Sequence, residues 1–196
     1  MTQLHFVDKF TKFTKQNLLT QAHQLRHEVF KERLGWEVNS DEGLEKDNFD
    51  ELDVSHILLT DNWQNVIGCW RALPTTSEYM LKDVFPQLLR GEQAPEQSDV
   101  WEISRFAITK SNKNADKQML KTATKELINS FFSFASTKNI KSYVLVTTVA
   151  CERILRLSGV KTRRLGDKQA MQVGIERSVA LWIDVPEAYL NQEYVA

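Results

Sequence analysis

Between Val100 and Val149 this chain writes strand, long helix and strand in succession, and that order restricts its fold more than any other feature. Val100 to Ile108 alternates, with Trp101, Ile103, Arg105 and Ala107 on one face and Glu102, Ser104, Phe106 and Ile108 on the other. From about Ala115 to Thr137, the residues Leu120, Ala123, Leu127, Phe131 and Phe134 keep to one face of a helix. Tyr143-Val-Leu-Val-Thr-Thr-Val149 is rich in β-branched residues and follows the polar stretch Lys138-Asn-Ile-Lys141, the pattern of a central strand. A helix with one apolar face must bury it against another layer, here a sheet.

The other segments extend the alternation. Leu18, Ala22, Leu25 and Val29 form an apolar stripe on a helix from about Asn17 to Phe30, which stops near Gly35, where a left-handed cap costs little. His56 to Thr60 and Val66 to Leu73 read as paired strands across the turn formers Asp61 to Asn65. Tyr79 to Leu89 has helical spacing that Pro86 must interrupt. Glu152 to Leu157 is a short helix ended by Gly159, and Val179 to Val185 is a late strand. With no internal repeat and with strands and helices interleaved from end to end, the expectation is a single α/β domain over 1–196, an α-β-α sandwich on a mixed, strongly twisted sheet.

Composition narrows the function classes. Twenty-five Lys and Arg against 26 Asp and Glu leave a net charge of -1, so a generally basic nucleic-acid binder is excluded. The balance is a sum of opposed segments. Glu37 to Asp53 carries eight carboxylates (37, 41, 42, 45, 47, 50, 51, 53) against one Lys and reads as an exposed loop or lid. Between 152 and 168, Arg153, Arg156, Lys161, Arg163, Arg164 and Lys168 outweigh Glu152 and Asp167. Cys69 and Cys151 are far apart and have no CxxC partner, which fits buried reduced thiols rather than a disulfide framework or zinc ribbon. No apolar run reaches bilayer length, and Met1 to Phe13 lacks a signal-peptide core, so a cytoplasmic home is expected.

Several charged residues are hard to explain as ordinary structure. Arg26 follows the core residue Leu25 and reads either as a snorkelling surface side chain or as a site residue. Asp47 and Asp50 flank Phe49, an arrangement that suits a solvated acidic loop or a clamp on an amine; metal ligation lacks a His or further fixed ligands. Arg71 stands in a strand of Val, Ile, Cys, Trp, Ala and Leu, where it needs an ion-pair partner or a bound anion. Trp101-Glu-Ile-Ser-Arg-Phe106 places Glu102 and Ser104 on one face of a strand and Arg105 on the other, either as an internal ion pair or as a base and a carboxylate-binding guanidinium.

Taken in order, Arg26-x-x-Val29-Phe30, Gly35-Trp36, Asp47-x-Phe49-Asp50, Gly68-Cys-Trp-Arg71, Leu73-Pro-Thr-Thr76, Tyr79-Met-Leu81, Phe85-Pro86 and Trp101-Glu-x-Ser-Arg-Phe106 closely resemble the acyl-homoserine-lactone synthases of the LuxI type. The similarity runs from about Arg26 to Glu176. It implies a GNAT-like fold and an acyltransferase that joins an acyl chain, carried on acyl carrier protein, to the amine of S-adenosylmethionine, followed by lactonisation and loss of methylthioadenosine. S-adenosylmethionine is then a substrate, and no cofactor or metal is implied.

The residues suit that chemistry. Asp47, Asp50, Arg26 and Arg71 offer the charges that an ammonium, a sulfonium and a carboxylate need, with Phe30 and Trp36 walling the site. By resemblance Glu102 is the base that removes the ammonium proton, directly or through water, and Arg105 holds Glu102 and the acidic loop in register or orients substrate. Ser104, Leu145 and Thr147 are candidates to line the acyl pocket, with Met80, Leu120 and Leu155 as further ones; a Thr like Thr147 is associated with acyl chains oxidised at the third carbon. Arg153, Arg156 and Arg164 are candidates to dock the acidic carrier, in the alternative to an ordinary solvated face. Competing readings are a GNAT-like N-acyltransferase using acyl-coenzyme A, whose Q/R-x-x-G-x-G/A loop does not precede the Ala115 helix, and a non-catalytic ligand-binding sensor.

Overall fold

The patterns fold in the order β1 (Gln3–Val7), α1 (Gln16–Arg26), β2 (Ser40–Asp41), β3 (Leu44–Glu45), β4 (Ser55–Thr60), β5 (Val66–Pro74), α2 (Met80–Asp83), β6 (Val100–Ile108), α3 (Lys117–Lys138), β7 (Ser142–Thr148), α4 (Val149–Leu157), β8 (Thr162–Arg164), β9 (Met171–Val173), β10 (Glu176–Asp184) and α5 (Glu187–Leu190). This computed structural model describes residues 2–110 and 117–190, so the expected start of the long helix at Ala115 lies outside the described residues. The mixed α/β class and the GNAT-like fold expected from the sequence are what the chain adopts. By internal contacts it divides into two compact units, Met1–Ala72 with Arg105–Ser130, and Leu73–Ser104 with Phe131–Ala196.

In the first unit β1, β4 and β5 form an antiparallel meander, with Val7 opposite His56 and His56 opposite Arg71. The mixed sequence of the amino-terminal segment gives no strand signal; β1 exists because β4, buried along its whole length, offers it an edge to pair with. Val7, Leu19, Ala22, Leu25, Val29, Phe30, Leu58, Val66, Cys69 and Ala107 make this unit's core. α1 is shorter than expected. From His27 to Arg33 the chain continues as a π-helix, with Leu34 N–H donating to the Val29 carbonyl, five residues back, and it ends before Gly35 at φ +66°. Gly68 lets a neighbour come close: a Cβ there would lie 2.9 Å from Leu127 Cδ2 of α3.

In the second unit the strand order is β6-β7-β10-β8, with β9 also pairing β10. β6 and β7 pair in parallel from Val100–Ser142 to Glu102–Val144, whereas β10 pairs antiparallel with β7, so the sheet is mixed as expected. Phe131 and Phe134 of α3 are buried; Tyr143 Oη donates to the Phe131 carbonyl at 2.8 Å, and Trp101 meets Phe134 edge-on. Tyr79 to Leu89 gives α2 and a 3₁₀ turn at Pro86–Leu89, because proline removes the donor an unbroken helix needs. Thr148 caps α4 by accepting from Cys151 N–H, and Gly159 at φ +88° follows that helix.

Candidate active site

Three arginines from three separate elements of the first unit converge on one acidic segment. Arg26, at the end of α1, donates to both Asp50 oxygens at 2.8 Å and through Nε to Glu45. Arg71 in β5 donates to Asp50 Oδ1 at 2.8 Å and to Asp47. Arg105 in β6 reaches Glu45 Oε1 at 3.0 Å and Asp47 Oδ2 at 2.7 Å. Three guanidinium groups therefore face three carboxylates. The segment is itself braced by a capping box, in which Asp47 accepts from Phe49 N–H and Asp50 accepts from Asp47 N–H.

The expectation of an exposed acidic loop over 37–53 holds for Glu37, Asp41, Glu42, Glu51 and Asp53 and is corrected for Glu45, Asp47 and Asp50. Glu45 is fully buried and the Asp50 side chain is 5% exposed, because the arginines supply the charge balance that burial demands. Arg26 is likewise no snorkelling surface residue, and Arg71 is fully buried and ion-paired. Burial opposes the charge on Asp50, but the hydrogen bond and charge of Arg26, then the charge of Arg71, outweigh it and hold the carboxyl well below its usual range. Burial also opposes the charge on Arg26, and Asp50 and then Glu45 outweigh it. Burial lowers Arg105 against the opposing pull of Glu45 and Asp47. The cluster opens at one edge, where the side chains of Asp47 and Arg105 are 17% and 12% exposed.

Aromatic rings adjoin that edge. Phe30 lies under the Arg105 guanidinium, 5.6 Å from ring centroid to Cζ, and stacks on Trp36 at 5.2 Å and 12°. The buried Trp36 Nε1–H meets no acceptor among the described residues. An unpartnered buried donor costs roughly 1–3 kcal/mol. Sequence reasoning named Arg26, Phe30, Trp36, Asp47, Asp50, Arg71 and Arg105, and the structure brings all seven together. It missed Glu45. The signal was the charge count: three arginines in apolar settings need three carboxylates, and two had been identified.

The second unit holds the other candidates. Glu102 is buried on β6 and accepts from Met80 N–H at 2.9 Å and from Leu81 N–H at 2.7 Å. Tyr79, just before these donors, is fully buried with Oη donating to the Pro95 carbonyl at 2.7 Å; burial and then the Glu102 charge raise its pKa. The strict alternation expected along β6 breaks at Arg105, which adopts φ +54°. Ser104 and Leu145 are buried, Thr147 is half-buried opposite Val179, and Met80 and Leu155 belong to this unit, whereas Leu120 belongs to the first. Among the docking candidates Arg153 and Arg156 are exposed. Arg164 is tied to Glu152 at 2.6 Å and to the Lys168 carbonyl at 2.9 Å, and Arg163 pairs with Glu92.

A family model described as autoinducer synthase matches residues 10–192. The chain belongs to the autoinducer synthase family. This autoinducer synthase is 39% identical over 166 residues to an acyl-homoserine-lactone synthase of Vibrio anguillarum, covering 85% of this chain and 86% of the relative. The solved acyl-homoserine-lactone synthase LasI superposes with a TM-score of 0.84 at 34% identity, over 97% of this chain and 95% of that one. TofI, solved in a ternary complex with an inhibitor and MTA, gives 0.79 at 30% identity over 98% and 97%. BjaI, a CoA-dependent acyl-homoserine lactone synthase solved with SAM and isopentyl-CoA, gives 0.85 at 22% identity over 97% and 86%, a likeness of fold. The autoinducer synthase is accordingly an acyltransferase of the acyl-homoserine-lactone synthase family.

Proposed function

We propose that this autoinducer synthase, acting as one domain over 1–196 in the cytoplasm, transfers an acyl chain from acyl carrier protein to the amine of S-adenosylmethionine. The amine nitrogen attacks the thioester carbonyl, the carbon–sulfur bond breaks and the carrier's thiol leaves. The methionine carboxylate oxygen then displaces sulfur from the γ-carbon, closing the homoserine lactone and releasing methylthioadenosine. No electron is gained or lost by either substrate.

The observation that carries this reading is the partly exposed edge of a neutralised ion cluster, with Phe30 under Arg105 and stacked on Trp36, whose indole N–H has no partner among the described residues. Asp47 receives the cationic centres of the substrate, while Arg105 and Trp36 N–H receive its carboxylate. Arg26, Arg71 and Asp50 are more deeply buried than Asp47 and hold it in place, Arg71 directly, Asp50 by accepting from the Asp47 N–H, and Arg26 through Asp50. Glu102 takes the ammonium proton, directly or through water. Backbone N–H groups past the end of the β6–β7 ladder at Glu102–Val144 stabilise the oxyanion, and Ser104, Leu145 and Thr147 line the acyl pocket, with the Thr147 hydroxyl meeting an oxidised third carbon. Exposed Arg153 and Arg156 meet the acidic carrier, and Arg164 shapes that surface through Glu152.

Coenzyme A is the competing thiol carrier, as the name of BjaI states for that protein. The sequence before α3 lacks the glycine-rich Q/R-x-x-G-x-G/A loop of coenzyme A-dependent GNAT enzymes, which favours a carrier protein. Calorimetry on Trp36→Phe tests the substrate site, since that change keeps the stacked ring and removes the N–H. Binding of S-adenosylmethionine weakens by roughly tenfold, the value of one buried hydrogen bond to a charged acceptor; unchanged binding contradicts the assignment.

A further inference from the structure

We propose that His23 is a positioning residue for the S-adenosylmethionine edge, acting through the backbone of Glu45; this rests on the reading that Asp47 and Arg105 receive that substrate. His23 lies on α1 three residues before Arg26, on the same face, and is buried. Its Nδ1 is 3.0 Å from the Glu45 carbonyl oxygen. A carbonyl can only accept, so Nδ1 carries the hydrogen and the neutral ring is the Nδ1–H tautomer. Burial and then the Arg26 charge push the His23 pKa down to about 4, which keeps the ring neutral under working conditions. A second buried imidazole, His56, meets it edge-on at 5.8 Å, with its Nε2 4.0 Å from Asp50.

What His23 holds is the backbone of the residue that joins two arginines. The Glu45 carboxylate takes Arg26 on one oxygen and Arg105 on the other, and its carbonyl is a second point, besides the Arg26 bond, at which α1 fixes β3. Arg105 in turn contacts Asp47 and sits over Phe30. Releasing the Glu45 carbonyl therefore loosens the exposed guanidinium without removing any charge from the cluster. The effect belongs to the amine substrate alone, because among the described residues the hydrogen bonds of His23 and Glu45 go to none assigned to the acyl donor.

The test uses three substitutions that separate a donor from mere bulk. Asn carries a donor nitrogen one bond from Cγ, as His Nδ1 is; Gln carries it one methylene further; Leu fills space with no donor. Initial rates of lactone formation give KM for each substrate separately. His23→Leu and His23→Gln raise KM for S-adenosylmethionine by roughly tenfold, the worth of one buried hydrogen bond, and leave KM for the acyl donor unchanged, while His23→Asn recovers most of the loss. A packing role predicts the reverse order, since Asn fills the site less well than Leu. The inference is overturned if Asn is as poor as Leu and Gln, or if both KM values rise together. Should His23→Leu fail to fold, the comparison of Asn with Gln makes the same decision. Wild-type protein that forms no lactone from any donor overturns the functional reading and this inference with it, whereas active wild type with the wrong order among variants overturns this inference alone.

Discussion

Both oxygens of Glu102 accept backbone N–H groups, from Met80 and Leu81, so changing this residue acts on structure and chemistry together. In Glu102→Gln one oxygen becomes an NH₂ that faces an N–H donor. Turnover is lost with the base, and urea denaturation shows a stability lower by about 1–3 kcal/mol, the cost of an unsatisfied buried group. Full stability with lost turnover contradicts the bonding described for Glu102; retained turnover removes it as the base. At this scale the sequence exposes a site residue when its chemistry conflicts with its neighbours. Arg71 among Val, Ile, Cys and Trp is such a case, and so are Asp47 and Asp50 on either side of the aromatic Phe49. Glu45 and His23 carry no such conflict: one is among many carboxylates and the other is an imidazole on a helix, a place where such a side chain is ordinary.

Elements were legible wherever one periodicity covers their length. α3 and β7 follow their apolar patterns closely, and β5 ends one residue beyond its expected limit. β1, β2, β3, β8 and β9 are short strands whose pairing comes from a partner rather than from their own residues. The π-helical stretch from His27 to Arg33, in which Val29 and Phe30 are buried, has no signature distinct from the α-helix it extends. Contact between β5 and α3 is set by Gly68. Gly68→Ala places a methyl 2.9 Å from Leu127, itself fully buried, and lowers stability by about 1–3 kcal/mol as overpacking does. Adding Leu127→Ala relieves the clash, so the double variant loses less than the sum of the single losses in urea denaturation. Strict additivity contradicts the contact.

Over the whole molecule, three carboxylates of the acidic run read from composition, Glu45, Asp47 and Asp50, are matched internally while Glu37, Asp41, Glu42, Glu51 and Asp53 stay exposed, and a net charge of -1 conceals a balance of three guanidinium groups against three carboxylates. That balance gives stability a definite pH dependence. His23 and His56 are neutral in the folded chain, pushed down to about 4 and about 3, first by burial. Once unfolded they bind protons near their ordinary value of 6.5. As pH falls from 6.5 toward 4 the unfolded state takes up protons that the folded state refuses, so stability drops, by up to about 2.7 kcal/mol per pH unit for the pair. Below about 4 the depressed Asp50 carboxyl continues the loss, because its unfolded form protonates first. Urea midpoints at pH 7, 6 and 5 check this, and a flat series contradicts neutral buried imidazoles.

The most direct test of the whole account is mass spectrometry of the products formed when purified protein meets S-adenosylmethionine and a panel of acyl thioesters, 3-oxo, 3-hydroxy and unsubstituted, each on acyl carrier protein and on coenzyme A. Acyl-homoserine lactone and methylthioadenosine form in equal amounts, faster from the carrier protein and from chains oxidised at the third carbon. Neither product from any donor contradicts this.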